Sequence, residues 1–138
     1  TGNSGHASAT GDSGHASATG YSGHASATGD YGHASATGYS GHASATGDSG
    51  HASATGHSGH ASATGDYGCA VAIGDKSRVR CGGDGFIAAA WRDASGRSRL
   101  LVGYAGEDGI KAGQWYHVNV TDNTAKFMET SEDNLIYP

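Results

Sequence analysis

Residues 1–72 are eight tandem nonapeptides of the form Thr-Gly-x-Ser/Tyr-Gly-His-Ala-Ser-Ala, the eighth with Cys69 and Val71 at its His and Ser positions. A period this strict decides the architecture before any single residue does. The third position reads Asn3, Asp12, Tyr21, Asp30, Tyr39, Asp48, His57, Asp66, so every even unit carries Asp and no odd unit does. The structural unit is therefore eighteen residues long. The fourth position supports this, because the even units alternate Ser13, Tyr31, Ser49, Tyr67 while the odd ones keep Ser.

Within each unit, His-Ala-Ser-Ala-Thr alternates small apolar with polar residues at the period of a strand. The Gly-x-x-Gly segment between strands supplies a turn. Two strands and two turns make eighteen residues, which predicts a narrow two-sided β-solenoid with parallel coils about 4.8 Å apart. Four such coils rise about 19 Å. A three-strand coil of twenty-seven residues would mix Asp with Tyr, Asn and His in one column. A bundle of polyproline-II-like strands is the rival geometry, since Gly, Gly and Ser recur every third residue, but the tract has no proline and alternates like a strand.

The degenerate ninth unit, residues 73–81, indicates which face is inside. Arg78 and Arg80 take the His and Ser positions there, while Val79 and Cys81 take the two Ala positions. Charged side chains belong in water, so the Ala pairs face inward and His, Ser and Thr line the outer faces. In the eighth unit and the first residue after it the outer positions become Cys69, Val71 and Ile73, an apolar strip that the following segment is expected to cover.

An interior of alanine methyls buries little apolar area for the backbone it must order. The tract holds most of the 25 glycines, and the whole chain has one proline and two phenylalanines. Exposed coil ends are also strand edges that invite further pairing. The chain is therefore expected to associate with itself, end to end or side to side, as the subunit of an extracellular filament or fibre. The net charge of −5, with eight Lys and Arg spread over residues 76–126 rather than clustered, predicts neither nucleic acid nor an anionic membrane as partner. No window reaches the roughly 18 apolar residues of a membrane span, so no membrane insertion is expected.

Residues 82–138 hold both Trp, both Phe and the only Met. Phe86 to Arg92 and Arg99 to Tyr104 predict one strand pair across Asp93-Ala94-Ser95-Gly96. Gln114 to Val120 and Ala125 to Met128 predict a second across Thr121-Asp122-Asn123-Thr124. The expected fold is thus all-β: the solenoid of residues 1–72, a junction at 73–81, and a small β-hairpin-rich C-terminal domain or cap at 82–138. The Ala-Thr-Gly-x-x-Gly/Ser-x-Ala-Ser units leading into Ile73-Gly74-Asp75-Lys76-Ser77 and a short Trp-containing β segment resemble a family of nonapeptide-repeat proteins of bacteria and their phages. That resemblance implies a β-solenoid shaft with a small terminal β domain, in extracellular or phage-fibre-like structures, and supplies no catalytic residues. The Gly5-His6 pair and its copies depart from the family pattern, which often has Ser and Ala there. A fibre segment presenting its terminal domain as an adhesin is the alternative function.

His6, His15, His24, His33, His42, His51 and His60 are expected to form two outer columns, one per face. They read as stacked neutral rings that pack coil on coil or chain on chain, with a metal ladder as the sharper alternative. Tyr21 and Tyr39 are expected to stack on adjacent coils. The column Asp12, Asp30, Asp48, Asp66 is similar to calcium-binding nonapeptide arrays, but the Gly-Gly-x-Gly-x-Asp order is absent, and an Asp that bonds its own turn needs no metal. No cofactor is expected. Rows such as Ser8 and Thr10 are similar to the hydroxyl rows of ice-binding solenoids, although the neighbouring His would roughen that plane. Cys69 and Cys81 are expected to face opposite ways, which leaves a disulfide open and lets Cys69 meet another chain. Asp84, Asp93, His117 and the scattered Ser show no nucleophile, base and orienting partner, so an enzyme is not expected.

Overall fold

The structure is a computed structural model that describes residues 3–74, 77–107 and 109–130. Asp75 and Lys76 of the junction, and residues 131–138 of the C-terminal segment, lie outside the described residues. Strands β1 (His6–Thr10), β2 (His15–Thr19), β3 (His24–Thr28), β4 (His33–Thr37), β5 (His42–Thr46), β6 (His51–Thr55), β7 (His60–Thr64) and β8 (Cys69–Ile73) follow one another at nine-residue intervals. They are followed by β9 (Arg78–Cys81), β10 (Phe86–Arg92), β11 (Ser98–Tyr104), β12 (Trp115–Thr121) and β13 (Thr124–Thr130). Sheet A runs β1-β3-β5-β7-β9-β12-β13 and sheet B runs β11-β10-β8-β6-β4-β2. Odd and even nonapeptides thus occupy opposite sides of a two-sided β-solenoid.

The register is that of the eighteen-residue unit. His6 pairs with His24, Ala7 with Ala25 and Ser8 with Ser26, in parallel, and the same offset recurs through β7. The ladder does not stop at the strand ends. In the turns the Tyr31 N–H donates to the Asp12 carbonyl at 2.8 Å and the Gly11 N–H to the Thr28 carbonyl at 3.1 Å, so corners as well as strands are tied coil to coil. Glycine opening each turn is required twice over. At Gly38 the backbone has φ +152°, and a Cβ there would lie 1.6 Å from the Gly20 carbonyl oxygen of the coil beneath.

The inner positions are alanine from Ala16 to Ala63, each almost wholly buried, while His, Ser and Thr point outward. Side chains of ordinary core size are confined to the C-terminal end, where Ile87, Val79 and Cys81 are the largest that are fully buried and Ile110, Tyr116 and Phe127 join the same cluster.

The coil count is five rather than four. Strand β10 adds parallel to β8, Phe86 against Cys69 and Ala88 against Val71. That offset is seventeen residues instead of eighteen, because β9 is four residues long and lacks the Thr position of the earlier strands. The Cys69, Val71, Ile73 strip is therefore extended edgewise rather than covered from above. Strand β8 needed backbone partners, and β10 supplies them in the plane of the sheet. Cys69 and Ala88 become buried, but Ile73 stays 50% exposed.

Two antiparallel hairpins close the C-terminal end. Strand β11 folds back on β10, Phe86 opposite Tyr104 and Arg92 opposite Ser98. The Asp93 carboxylate organises the connecting loop, accepting from the Ser95 and Arg97 N–H groups and from Arg99 Nε at 2.9 Å. Strand β12 pairs antiparallel with β9, Tyr116 opposite Val79, and β13 pairs with β12. The turn between them is two residues, Asp122 (φ 51°) and Asn123 (φ 61°), both left-handed as a type I′ hairpin demands. It is shorter than the expected four-residue loop because Thr121 and Thr124 pair with each other. The buried Tyr116 hydroxyl accepts from the Lys111 N–H at 2.7 Å and donates to the Gly109 carbonyl, fixing the loop before β12.

Candidate functional site

Parallel pairing at constant register converts each position of the repeat into a column. On sheet A the imidazoles of His6, His24, His42 and His60 stack with centroid separations of 4.8, 4.7 and 4.3 Å. The last contact tilts by 34°, where His60 also meets the Trp115 indole edge-on at 6.0 Å. On sheet B, His15, His33 and His51 stack at 4.7 and 4.8 Å, nearly parallel. Their column ends on Cys69, whose Sγ lies 2.6 Å from His51 Nδ1.

A third aromatic column runs along one turn edge. Tyr21 stacks on Tyr39 at 5.1 Å, and Tyr39 on His57 at 4.9 Å. The Asp column occupies the turns of the opposite edge. Among the described residues no group of three or more His, Cys, Asp or Glu is arranged to hold a metal ion. Cys69 and Cys81 are both free and buried, Cys69 on the outer face and Cys81 inside. Burial pushes both thiols up, and Cys69 is not presented for contact with another chain.

The C-terminal strands turn the flat face of sheet A into a trough of about 440 Å³. The His column forms one wall and Ser8, Ser26, Ser44 and Ser62 the other, over a floor of Ala7, Ala25 and Ala43. Antiparallel pairing of β12 with β9 brings Trp115 up to Arg80, and these two close the end. The Arg80 guanidinium lies 4.7 Å over the Trp115 ring, and its Nε donates to Ser62 Oγ at 3.0 Å. Arg78 is buried in the next row of the His column, opposite His117 of β12.

These surroundings favour neutral imidazoles. His60 is pushed down to about 3, first by burial, then by the charges of Arg78 and His42. Burial, then His24 and Arg78, lowers His42; burial, then Arg78, lowers His117; burial in its stack, then His51 and His15, lowers His33. A histidine whose folded value lies below its unfolded one binds fewer protons when folded. Its contribution is complete above about pH 6.5 and is lost as pH falls towards the folded value, near 3 for His60. Acid also carries the repeat tract from −4, its four Asp, to about +4 once eight His are protonated. The melting temperature is therefore expected to fall steadily from about pH 7 to about pH 4. A flat profile in a calorimetric titration over that range would refute the neutral-stack account.

Comparison with family models, with curated proteins and with solved structures finds no match for this chain. The site is therefore read from its own residues. The repeat placed the His and Ser columns, and the ninth unit placed Arg78 and Arg80 in them. Trp115 was not foreseen as part of the site, because the pairing that carries it there spans some 35 residues without a local signal. The fifth coil had a signal in the spacing Gly82 to Gly85, which repeats the Gly-x-x-Gly turn one residue early.

Proposed function

We propose that this protein is a structural subunit that associates with copies of itself, mainly side by side, into an extracellular filament or fibre. The observation that carries the reading is the core: from Ala16 to Ala63 it contains nothing larger than alanine. Small residues at every inner position make a thin, flat shaft whose two broad faces hold more side-chain surface than its interior. Flat sheets bearing regular columns can pack face to face at about 10 Å, which buries what a lone shaft leaves in water. Tyr21, Tyr31, Tyr39 and Tyr67, each about half exposed or more, add aromatic contacts along both turn edges. At the C-terminal end the parallel coils give way to antiparallel hairpins, which favours lateral contacts over coil-on-coil growth there. Ice binding is the weaker reading, since an imidazole column stands beside each row of hydroxyls.

Electron microscopy and sedimentation of the full chain over a wide concentration range test this. Extended particles, with mass rising with concentration, are expected. Monodisperse, fully folded single chains at the highest concentration would overturn the proposal, and thermal hysteresis in that same sample would favour the ice-binding reading.

A further inference from the structure

The geometry points to the sheet A trough as a binding site for an acidic linear oligosaccharide, its carboxylate directed to Arg80. The site goes beyond the assembly reading and accords with it where shafts pack through the sheet B face and the turn edges, which leaves the sheet A face open.

The chemistry of the walls selects the class of ligand. A neutral imidazole and a serine hydroxyl each both donate and accept hydrogen bonds, which is also the capacity of a sugar hydroxyl. The trough presents the two in facing rows that recur at each coil, so a chain of similar units lying along the solenoid axis meets the same partners repeatedly. The floor offers no strand edge to a peptide. The backbone of β3, β5 and β7 is already paired on both sides, so β-augmentation has no place there. The closed end combines the Trp115 indole with the Arg80 guanidinium that lies over its ring, a cation suited to a carboxylate. Arg78, buried one row behind, adds positive charge at this end of a chain whose net charge is −5. The Asp column stands on the turn edge beyond the Thr row, away from the His wall, so an anionic ligand is steered to the Arg80 end. Burial holds His42 and His60 neutral, which keeps both halves of their hydrogen-bonding capacity in use.

The test uses the full chain carrying Trp91→Phe, so that Trp115 is the remaining indole of the two, with calorimetry on the unsubstituted chain as a parallel measurement. A hexamer of galacturonic acid is titrated in, alongside a neutral hexasaccharide, a phosphorylated peptide and a single-stranded oligonucleotide. A saturable change in Trp115 emission and matching heat are expected with the uronic acid hexamer, and weaker binding with the neutral one. Arg80→Gln is expected to weaken the acidic ligand about tenfold, the loss of one charge-assisted contact. Ser44→Tyr fills the trough from an outward position two coils from the closed end, and is expected to abolish binding while leaving the circular dichroism unchanged. No saturable binding, undiminished binding by Ser44→Tyr, or preference for the peptide or oligonucleotide would each overturn the assignment.

Discussion

Replacing Gly38 with alanine is expected to cost about 2 to 6 kcal/mol, combining backbone strain with overpacking against a carbonyl that cannot withdraw. The residue sits at φ +152°, and the new methyl would lie 1.6 Å from the Gly20 oxygen. That oxygen belongs to a corner whose amides are bonded to both neighbouring coils, so relief requires the coils to separate. Gly11→Ala is the internal control. Its φ is +140°, but nothing lies within 4 Å of the added Cβ, so only the strain of about 1 to 3 kcal/mol applies. Chemical denaturation of the two variants measures the difference, which isolates the stacking term. Equal losses would mean that the corners do not hold the coils in register.

The second large effect is expected at Ile87. This side chain is fully buried in a chain whose first four coils line their interior with alanine methyls, and truncation to alanine should cost about 2 to 5 kcal/mol. Its influence should reach beyond its own neighbourhood. In a linear array each coil is stabilised chiefly by those it touches, and the end with the real core anchors the rest. Ile87→Ala should therefore lower the melting of the whole strand signal together, while Ala25→Gly, near the far end, should fray only its own coils. Hydrogen exchange resolved along the sequence distinguishes these outcomes. If β1 to β4 keep their protection when Ile87 is truncated, the C-terminal cluster is not the anchor.

Much of this architecture is legible in the repeat because parallel stacking makes the pattern redundant: each side chain contacts its copy eighteen residues away. The alternation of Asp with other residues at position three identified the double unit. The Arg78-Val79-Arg80-Cys81 segment identified the inward face. Both hairpins were legible from alternation and turn residues, apart from the length of the Asp122-Asn123 turn. What escaped were the features that depend on a single long-range pairing. Phe86-Ile87-Ala88-Ala89 has no histidine or serine to mark it as a coil, and dropping the Thr position shifts it out of phase. Trp115 meets Arg80 only because β12 runs antiparallel to β9, and no periodicity encodes that choice. The trough needed the second of these.

The identity of successive coils carries a consequence for how such a molecule can change. Each rung offers the next the same amides, the same methyl and the same glycine corner, and the closing hairpins touch only the final turns. Adding or deleting an eighteen-residue unit within the tract would leave both termini in unchanged surroundings and alter the shaft by one increment of about 4.8 Å. Length in this protein is thus a ruler graduated in whole coils, adjustable by simple duplication without redesign of either extremity.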